Sequence, residues 1–329
     1  MVKKIAYIFP GQGAQYVGMG RDLYDNCPEA KKVFDEADNI IPDAGIKRLC
    51  FEGPLEELTQ TANSQVCILV ASIAALRVLE PKVKGEGWRV EACAGLSLGE
   101  LTSLVAAGSI NFTDAVKLVR RRGELMEEAS MKNPGGMASI IGLQLEHLKD
   151  ICVHTGSEIA NLNCPGQIVI SGGKEAVAKC MAMAVEKGAK KAISLKVSGA
   201  FHSSLMKEAA EKFRAELEKV TFSAPAIRVI SNVTAEEEAL PEGIKENLVR
   251  QLYSPVRWEE SVRKMSREGV EIFFEIGPGK VLKGLLRRID ADLKVYNIET
   301  LEDIKKVPRP PKAGSGPNFA KQNLGGTHV

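Results

Sequence analysis

Short apolar runs alternate with longer segments of helical periodicity along most of the chain. The runs at 4–9 (KIAYIF) and 90–97 (VEACAGLS) are the clearest, and glycine-containing turns lie at their ends. Runs of this length predict buried strands. The segments at 25–40, 64–82 and 111–131 have the length and apolar content of helices. Strands that alternate with helices favour an α/β layered fold with a parallel sheet.

The pattern changes near residue 134 and changes back near residue 198. Between these positions the predicted order is strand, helix, strand, strand, helix, strand. This βαββαβ order is typical of a ferredoxin-like arrangement and predicts an inserted subdomain. We therefore expect a main core at 1–133 and 199–304, a small subdomain at 134–198, and a disordered tail at 305–329, which is rich in Pro, Gly, Lys and Asn.

The composition mainly argues against certain partners, sites and targeting segments. The 329 residues carry a formal net charge of +2, which argues against a nucleic-acid or membrane partner. The seven cysteines include no CxxC pair, so we expect no metal or dithiol site, and scattered thiols favour a reducing cytoplasm. The first apolar run stops at Pro10 and the run from Cys67 is short, so neither a signal peptide nor a membrane span is predicted.

The pentapeptide GLSLG at 95–99 places Ser97 between two glycines, after a predicted strand and before a predicted helix. This is the context of a nucleophile elbow, in which the serine hydroxyl projects from the edge of the sheet. The amide of Leu98, at the helix start, could then donate to an oxyanion. A tight turn with only a structural role would show the same pentapeptide, so the pattern alone leaves both interpretations open.

A nucleophilic serine needs a base, and the chain has four histidines. His147 and His154 belong to a helix of the predicted insertion, and His328 is near the C-terminus. His202 stands where the insertion returns to the main core, and such junctions line interdomain clefts. By elimination His202 is the candidate base, with a helix-capping or core histidine as the alternative. The amide of Gln12, in the turn after the first strand, is the candidate for a second oxyanion donor.

Three successive arginines, Arg120, Arg121 and Arg122, lie in the helix predicted at 111–131. Successive helical positions are rotated by about 100°, so the three cannot share one face. One guanidinium could face the cleft and bind a carboxylate in bidentate fashion. From the residues alone, a solvated basic face is the simpler explanation.

Seven motifs occur along the chain in the order FPGQGAQYVGMG, AGLSLGE, LVRRRGELM, NCPGQIVISG, GAFHSSLM, RQLYSPVRW and FEIGPGKVLKGL. Together they resemble the malonyl-CoA:acyl carrier protein transacylases, from about residue 4 to about residue 300. The resemblance implies an α/β-hydrolase-like core with a ferredoxin-like insert. It also implies transfer of a malonyl group from malonyl-CoA to the phosphopantetheine thiol of holo acyl carrier protein, in fatty acid or polyketide synthesis.

The resemblance assigns roles to individual residues. Ser97 would carry the malonyl group and His202 would act as its base, in a ping-pong transfer on a Ser–His dyad. The amides of Gln12 and Leu98 would form the oxyanion hole. Arg122, directly before the glycine of the RG motif, would bind the free carboxylate of malonate.

Three further positions follow from the resemblance. Gln251 would orient the histidine through its backbone carbonyl, Asn163 would line the cleft, and Phe201 would restrict the room beside the malonyl α-carbon. One position departs from the family pattern, because Leu96 stands where a histidine is usual in GHSLG. Leu96 is not the base, so we keep the expected activity but expect a difference in the rate or in the polar contacts around the elbow.

The implied partner is an acidic acyl carrier protein. Lys187, Lys190 and Lys191 could contribute to its docking or could form an ordinary solvated loop. The resemblance implies a monomer and no cofactor beyond the two substrates. Two alternatives remain: a serine esterase or thioesterase would use the same dyad without needing Arg122, and a non-catalytic carrier-binding homologue would be expected to have lost the dyad.

Overall fold

Ten strands form two separate sheets in the structure, a computed structural model that describes residues 4–309. In chain order the strands are β1 (Lys4–Phe9), β2 (Arg89–Gly95), β3 (Gly135–Ile141), β4 (Glu158–Cys164), β5 (Gln167–Gly173), β6 (Lys191–Ser194), β7 (Arg228–Ile230), β8 (Glu237–Glu238), β9 (Ile272–Ile276) and β10 (Lys294–Ile298). The larger sheet has the order β10-β9-β1-β2-β7-β8, and all its pairs are parallel except β7 with β8. The smaller sheet has the order β4-β5-β3-β6 and is antiparallel throughout.

Fourteen α-helices of the described residues connect and cover these strands. In chain order they are α1 (Arg21–Asn26), α2 (Pro28–Ile40), α3 (Ile46–Glu52), α4 (Leu55–Thr59), α5 (Thr61–Glu86), α6 (Leu98–Ala106), α7 (Phe112–Lys132), α8 (Leu145–Thr155), α9 (Lys174–Glu186), α10 (Lys207–Leu217), α11 (Pro241–Gln251), α12 (Trp258–Arg267), α13 (Val281–Ile289) and α14 (Leu301–Lys306). None of the helices between residues 4 and 309 has the length and apolar character needed to cross a membrane.

β1 lies inside the larger sheet, between β9 and β2, and is buried on both faces. Ile5, Tyr7 and Phe9 belong to one hydrophobic cluster, whereas Ala6 and Ile8 belong to another. Successive side chains of a strand point to opposite faces, so these clusters lie on the two sides of the sheet. A strand covered on both sides has no solvent-facing side, which explains its continuously apolar sequence. The predicted α/β class with a parallel sheet is confirmed.

The smaller sheet and its two helices follow each other in the order β3-α8-β4-β5-α9-β6. The helices pack on the sheet through a separate hydrophobic cluster that includes Ile140, Leu148, Ile170 and Cys180. This is the strand order and connection of the ferredoxin-like arrangement, so that prediction is also confirmed. The elements fall within the predicted 134–198, while the domain limits themselves stay a prediction.

The helix predicted at 64–82 ends later than its pattern indicates. α5 continues through Pro81, although proline removes a backbone hydrogen bond and usually ends or kinks a helix. Contacts from elsewhere in the chain hold the last turn, since Val83 is buried and Lys82 Nζ donates to the carbonyl oxygen of Ile304 at 2.7 Å. The predicted end is wrong because these contacts outweigh local propensity.

The tail predicted at 305–329 begins inside a helix. α14 includes the first two of these residues, and Val307 is buried against the main hydrophobic cluster. A capping box starts this helix, because Thr300 Oγ1 accepts from the amide of Asp303 while the Asp303 carboxylate accepts from the amide of Thr300. The boundary at 305 is therefore corrected, and the tail prediction from residue 310 onward lies outside the described residues.

Candidate active site

Ser97 lies in the turn between β2 and α6, with backbone angles of φ 51° and ψ −104° that side-chain-bearing residues rarely adopt. The turn needs glycine on both sides. A Cβ on Gly95 would lie 1.9 Å from the carbonyl carbon of Gly99, and one on Gly99 would lie 2.3 Å from the carbonyl oxygen of Phe9. The GLSLG pattern therefore forms the strained strand–turn–helix geometry of a nucleophile elbow.

His202 contacts the serine directly. Its Nε2 lies 2.9 Å from Ser97 Oγ, and its Nδ1 lies 2.7 Å from the backbone carbonyl oxygen of Gln251. Because that carbonyl can only accept, Nδ1 carries the proton and Nε2 is free to accept from the serine hydroxyl. The predicted contact of the Gln251 carbonyl with the histidine is present in the structure.

The imidazole of His202 is neutral near pH 7. Burial first, and then the positive charge of Arg122, lowers its pKa from 6.5 to about 4. Both effects disfavour the protonated ring. The site therefore holds a base that is ready to receive a proton, next to a hydroxyl that can give one.

Arg122, on α7, is 1% exposed and points at the elbow. Its Nη1 donates to Gln65 Oε1 at 2.5 Å, and its Nη2 donates to Ser97 Oγ at 3.2 Å and to Gln251 Oε1 at 3.0 Å. Its Nε finds no acceptor among the described residues. Burial lowers its pKa only to about 10, so the guanidinium stays charged at neutral pH.

The neighbouring arginines lie elsewhere. Arg120 Nε donates to Glu124 at 2.8 Å, and Arg121 Nη1 contacts Glu124 and Glu128 at 3.1 and 3.2 Å on the surface of α7. Within residues 4–309, by contrast, no carboxylate lies within salt-bridge distance of Arg122. A buried cation without a carboxylate in direct contact is costly, which makes Arg122 the candidate for binding an external carboxylate.

The two predicted oxyanion donors are placed differently. Gln12 lines the cavity beside Ser97. The side chain of Leu98 is fully buried, so the candidate donor of this residue is its backbone amide, at the first position of α6. In the part of the chain that the structure describes, neither amide donates a hydrogen bond. Free amides at a turn and at a helix start are suited to a developing negative charge.

A cavity of about 250 Å³ opens in front of the dyad. Residues of the main core, including Gln12, Ser97 and His202, form one wall, and residues of the small subdomain form the other. The predicted lining residues Asn163 and Phe201 both face this cavity. Its further lining residues are Gly11, Gly13, Gln15, Thr59, Leu96, Met126, Met137, Asn161, Val169, Leu195, Lys196, Val197 and Val281.

Two polar side chains at the site were not anticipated from the sequence. Gln65 lies on the long buried helix α5 and accepts a hydrogen bond from Arg122. In the sequence, a polar glutamine beside an apolar run could have indicated this role. Asn232 follows β7; its Oδ1 accepts from the amide of Ser97 and its Nδ2 donates to the carbonyl oxygen of Gly95, both at 2.7 Å. Its position after a parallel strand was the signal, because ligand sites lie at the carboxyl ends of such strands.

The other histidines take no part in this arrangement. His147 and His154 are exposed on α8 of the small subdomain, and His328 lies outside the described residues. Between residues 4 and 309, no three His, Cys, Asp or Glu side chains are grouped so as to hold a metal ion. The groups brought together are therefore a hydroxyl, a neutral imidazole, a guanidinium and two free amides, which is the equipment for acyl transfer to and from a serine.

Comparison with known proteins first identifies the class of protein to which the chain belongs. The family model described as an acyl transferase domain matches residues 6–307, which is nearly the whole described chain. The elbow serine and its histidine thus belong to an acyltransferase domain.

Individual relatives narrow the class. The chain is 48% identical over 309 residues to the malonyl CoA-acyl carrier protein transacylase of Bacillus subtilis strain 168, covering 92% of this chain and 96% of the relative. The acyl-carrier-protein S-malonyltransferase from Bartonella henselae superposes with a TM-score of 0.88 at 41% identity, over 92% of this chain and 97% of that one. A malonyl-transacylase in complex with its type II PKS acyl-carrier protein gives a TM-score of 0.88 at 40% identity, over 92% and 98% of the chains. The chain belongs to the malonyl-CoA:acyl carrier protein transacylase family.

Proposed function

We propose that this chain transfers the malonyl group of malonyl-CoA to the phosphopantetheine thiol of holo acyl carrier protein, through a malonyl ester on Ser97. The observation that carries the proposal is the buried guanidinium of Arg122, which lies 3.2 Å from Ser97 Oγ without an ion-pair partner in the described chain. A dicarboxylic half-thioester such as malonyl-CoA supplies both groups that the site lacks, a reactive carbonyl for Ser97 and a carboxylate for Arg122.

In the first half-reaction, Ser97 Oγ attacks the thioester carbonyl while His202 Nε2 takes its proton. The carbonyl oxygen becomes an oxyanion between the amides of Gln12 and Leu98. The C–S bond then breaks, and the departing CoA sulfur takes the proton from His202. The malonyl ester on Ser97 is left with its free carboxylate on Arg122.

The second half-reaction is the reverse with another thiol. The phosphopantetheine thiol of the carrier gives its proton to His202 and attacks the ester carbonyl, and the same amides hold the oxyanion. Collapse breaks the C–O bond, and Ser97 Oγ recovers its proton from His202. Atoms and protons balance between two thioesters and the residues of this chain, so the route requires no resident cofactor.

The proposed transferase differs from an esterase in what accepts the malonyl group from Ser97: the carrier thiol, and not water. The ester must wait for the carrier. The apolar side chains of Met137 and Val169 on the small subdomain, together with the carboxylate held by Arg122, limit the approach of water. We assign the transfer to elongation in fatty acid or polyketide synthesis. We place it in the cytoplasm, where the seven free, buried cysteines would stay reduced.

The test is to follow malonyl-CoA turnover with holo carrier, with apo carrier that lacks phosphopantetheine, and with no carrier. We expect rapid formation of malonyl-carrier only with the holo form, and slow release of malonate in the other two reactions. Malonate release at the same rate in all three reactions would contradict transfer and favour the esterase. No turnover at all would favour a non-catalytic carrier-binding protein.

A further inference from the structure

A buried carboxyl group that the proposed mechanism does not use lies directly behind the active site. Glu100, on the first turn of α6, is fully buried. Its Oε2 accepts from Gln251 Nε2 at 2.6 Å and from the backbone amide of Asn232 at 3.0 Å. One oxygen atom therefore contacts both residues that hold the dyad, because Gln251 contacts His202 and Asn232 contacts Ser97.

A second buried carboxyl group faces it from β8. Glu238 is 4% exposed, and its Oε1 accepts from Asn247 Nδ2 at 3.3 Å. Glu100 Oε1 and Glu238 Oε2 are both buried, and neither finds a hydrogen-bond partner within residues 4–309. Two ionised carboxylates can only accept hydrogen bonds and would repel each other here, whereas one proton held between these two oxygens would give both a partner. Burial raises the pKa of both groups, and the positive charge facing Glu100 is that of Arg122.

The acceptor on Glu100 decides which way the amide of Gln251 points. Gln251 Nε2 donates to Glu100 and to the carbonyl oxygen of Ser97, at 2.6 and 3.0 Å, which leaves Oε1 facing Arg122 Nη2. A flipped amide would place an NH2 group against the guanidinium and an oxygen against two other oxygens. Without the Glu100 acceptor, the shortest of the three contacts that oppose this flip is lost.

We propose that Glu100, sharing a proton with Glu238, is a positioning residue that fixes the amide of Gln251 and through it the carboxylate-binding guanidinium of Arg122. The inference rests on the proposed function, since Arg122 is the group that would bind malonate. It predicts that Glu100 acts on recognition of the carboxylate more than on the nucleophile. The side chain of Asn232 has its own bonds to Ser97 and Gly95, so we expect it to hold the elbow when Glu100 is replaced.

The experiment compares two rates in the same variants. Malonyl transfer needs both the dyad and Arg122, whereas inactivation by phenylmethylsulfonyl fluoride, which has no carboxylate, needs the dyad but no carboxylate-binding group. For Glu100→Met we expect kcat/KM for malonyl-CoA to fall roughly 10- to 100-fold, as for a lost hydrogen bond to a charged group, with the inactivation rate within about threefold of wild type. Glu100→Gln keeps an acceptor for Gln251 and a donor for Glu238, so both rates should stay within about threefold.

The matched control is Glu275→Met. Glu275 is an equally buried glutamate of β9, where it accepts from the amides of Leu282 and Lys283 at the start of α13 and from Asn297 Nδ2, with no hydrogen bond to the dyad or Arg122 in the described chain. We expect this variant to lose stability without changing the ratio of the two rates. Equal loss of both rates in Glu100→Met, or a Glu100→Gln variant as poor as Glu100→Met, would overturn the positioning role.

The shared proton has a test that does not depend on activity or on folding of Glu100→Met. Infrared difference spectra of wild type and Glu238→Gln at pH 7 should show loss of the carbonyl band of a buried protonated carboxylic acid. A spectrum without this change would overturn the pair. If wild type transferred no malonyl group, the proposed function would fail, while the infrared result would still decide whether the pair exists.

Discussion

The cavity wall built by the larger sheet is polar and fixed by hydrogen bonds. The small subdomain contributes an apolar wall, Met137 and Val169, beside the polar side chains of Asn161, Asn163 and Lys196. On the first side Ser97, His202 and Arg122 contact one another or shared partners at 2.7–3.2 Å. On the second side Met137 and Val169, from β3 and β5, present side chains without functional groups for acid–base chemistry. The same cavity therefore has a reacting side and a shielding side.

This difference follows from the two kinds of sheet. The carboxyl ends of parallel strands converge at one edge, where the turn after β2 and the loop after β7 bring Ser97 and Asn232 together. The antiparallel sheet offers a broad face instead. We infer that substitutions on the polar wall remove chemistry or recognition, while substitutions on the apolar wall change the access of water.

The largest effect is expected for His202→Ala. Without the base the serine proton has no acceptor, and kcat for malonyl transfer should fall by roughly 10⁴-fold or more. The measurement is the steady-state rate with malonyl-CoA and holo carrier. His154→Ala, an exposed histidine on α8, is the matched control and should transfer at the wild-type rate. A His202→Ala enzyme that kept a tenth of the activity would show that the polar wall does not act through this imidazole.

Arg122→Ala comes next and should be selective. Losing the charged partner of a buried carboxylate should lower kcat/KM for malonyl-CoA by roughly 10²- to 10³-fold, with much less effect on acetyl-CoA. Arg121→Ala, which removes only surface contacts to acidic residues, should change neither value. Equal losses on the two substrates would mean that Arg122 supports the fold of the wall and not the carboxylate.

The pH dependence should be shifted by the same polar wall. Since only neutral His202 can take the proton and its pKa is lowered from 6.5 to about 4, kcat/KM should stay level from about pH 8 to about pH 5 and fall as the pH drops through about 4. The unfolded chain would protonate this histidine near 6.5, so the folded state also loses stability between about 6.5 and 4. Circular dichroism over the same range separates the two effects. An inflection near 6.5 in a folded enzyme would contradict the burial of the base.

Removal of the Arg122 charge sharpens this prediction. In Arg122→Met, the inflection in the rate of serine modification by phenylmethylsulfonyl fluoride should move to higher pH, because the cation is one cause of the low pKa of His202. The shift should be smaller than the whole difference from 6.5, since burial is the larger cause. An unchanged inflection would assign the low pKa to burial alone.

The smallest effect is expected on the apolar wall. Val169→Ala removes two methyl groups from β5 and admits water, so transfer should change by no more than about threefold while the share of malonyl groups lost as malonate rises. The two products are measured in one reaction with limiting holo carrier. A loss of transfer as large as that of Arg122→Ala would remove the distinction between a reacting wall and a shielding wall.

The elbow could be predicted from the sequence because its cause is local. The glycines at 95 and 99 are required by contacts within a few residues of Ser97 and with the adjacent strand β1. Because both glycines belong to the pentapeptide, the sequence pattern alone indicates the elbow. The βαββαβ insertion was predictable for a similar reason, since its order of elements is continuous along the chain.

The electrostatic surroundings could not be predicted in the same way. Which of three successive arginines faces the cleft is decided by Gln65 on α5 and Gln251 on α11, which are distant in sequence. The pairing proposed for Glu100 and Glu238 likewise joins α6 to β8, a two-residue strand that is too short to show a periodic pattern. Val307 was missed because one apolar residue in a proline-rich segment carries no pattern.

The central claim is a malonyl ester on Ser97 held until a thiol arrives. Intact-protein mass spectrometry after brief mixing with malonyl-CoA, followed by peptide mapping, tests it directly, with Ser97→Ala as the control. We predict one malonyl adduct on wild type, located on Ser97, absent from Ser97→Ala and lost on addition of holo carrier as malonyl-carrier appears. An adduct that persists in Ser97→Ala, or transfer to the carrier without any adduct on the wild-type enzyme, would contradict the account.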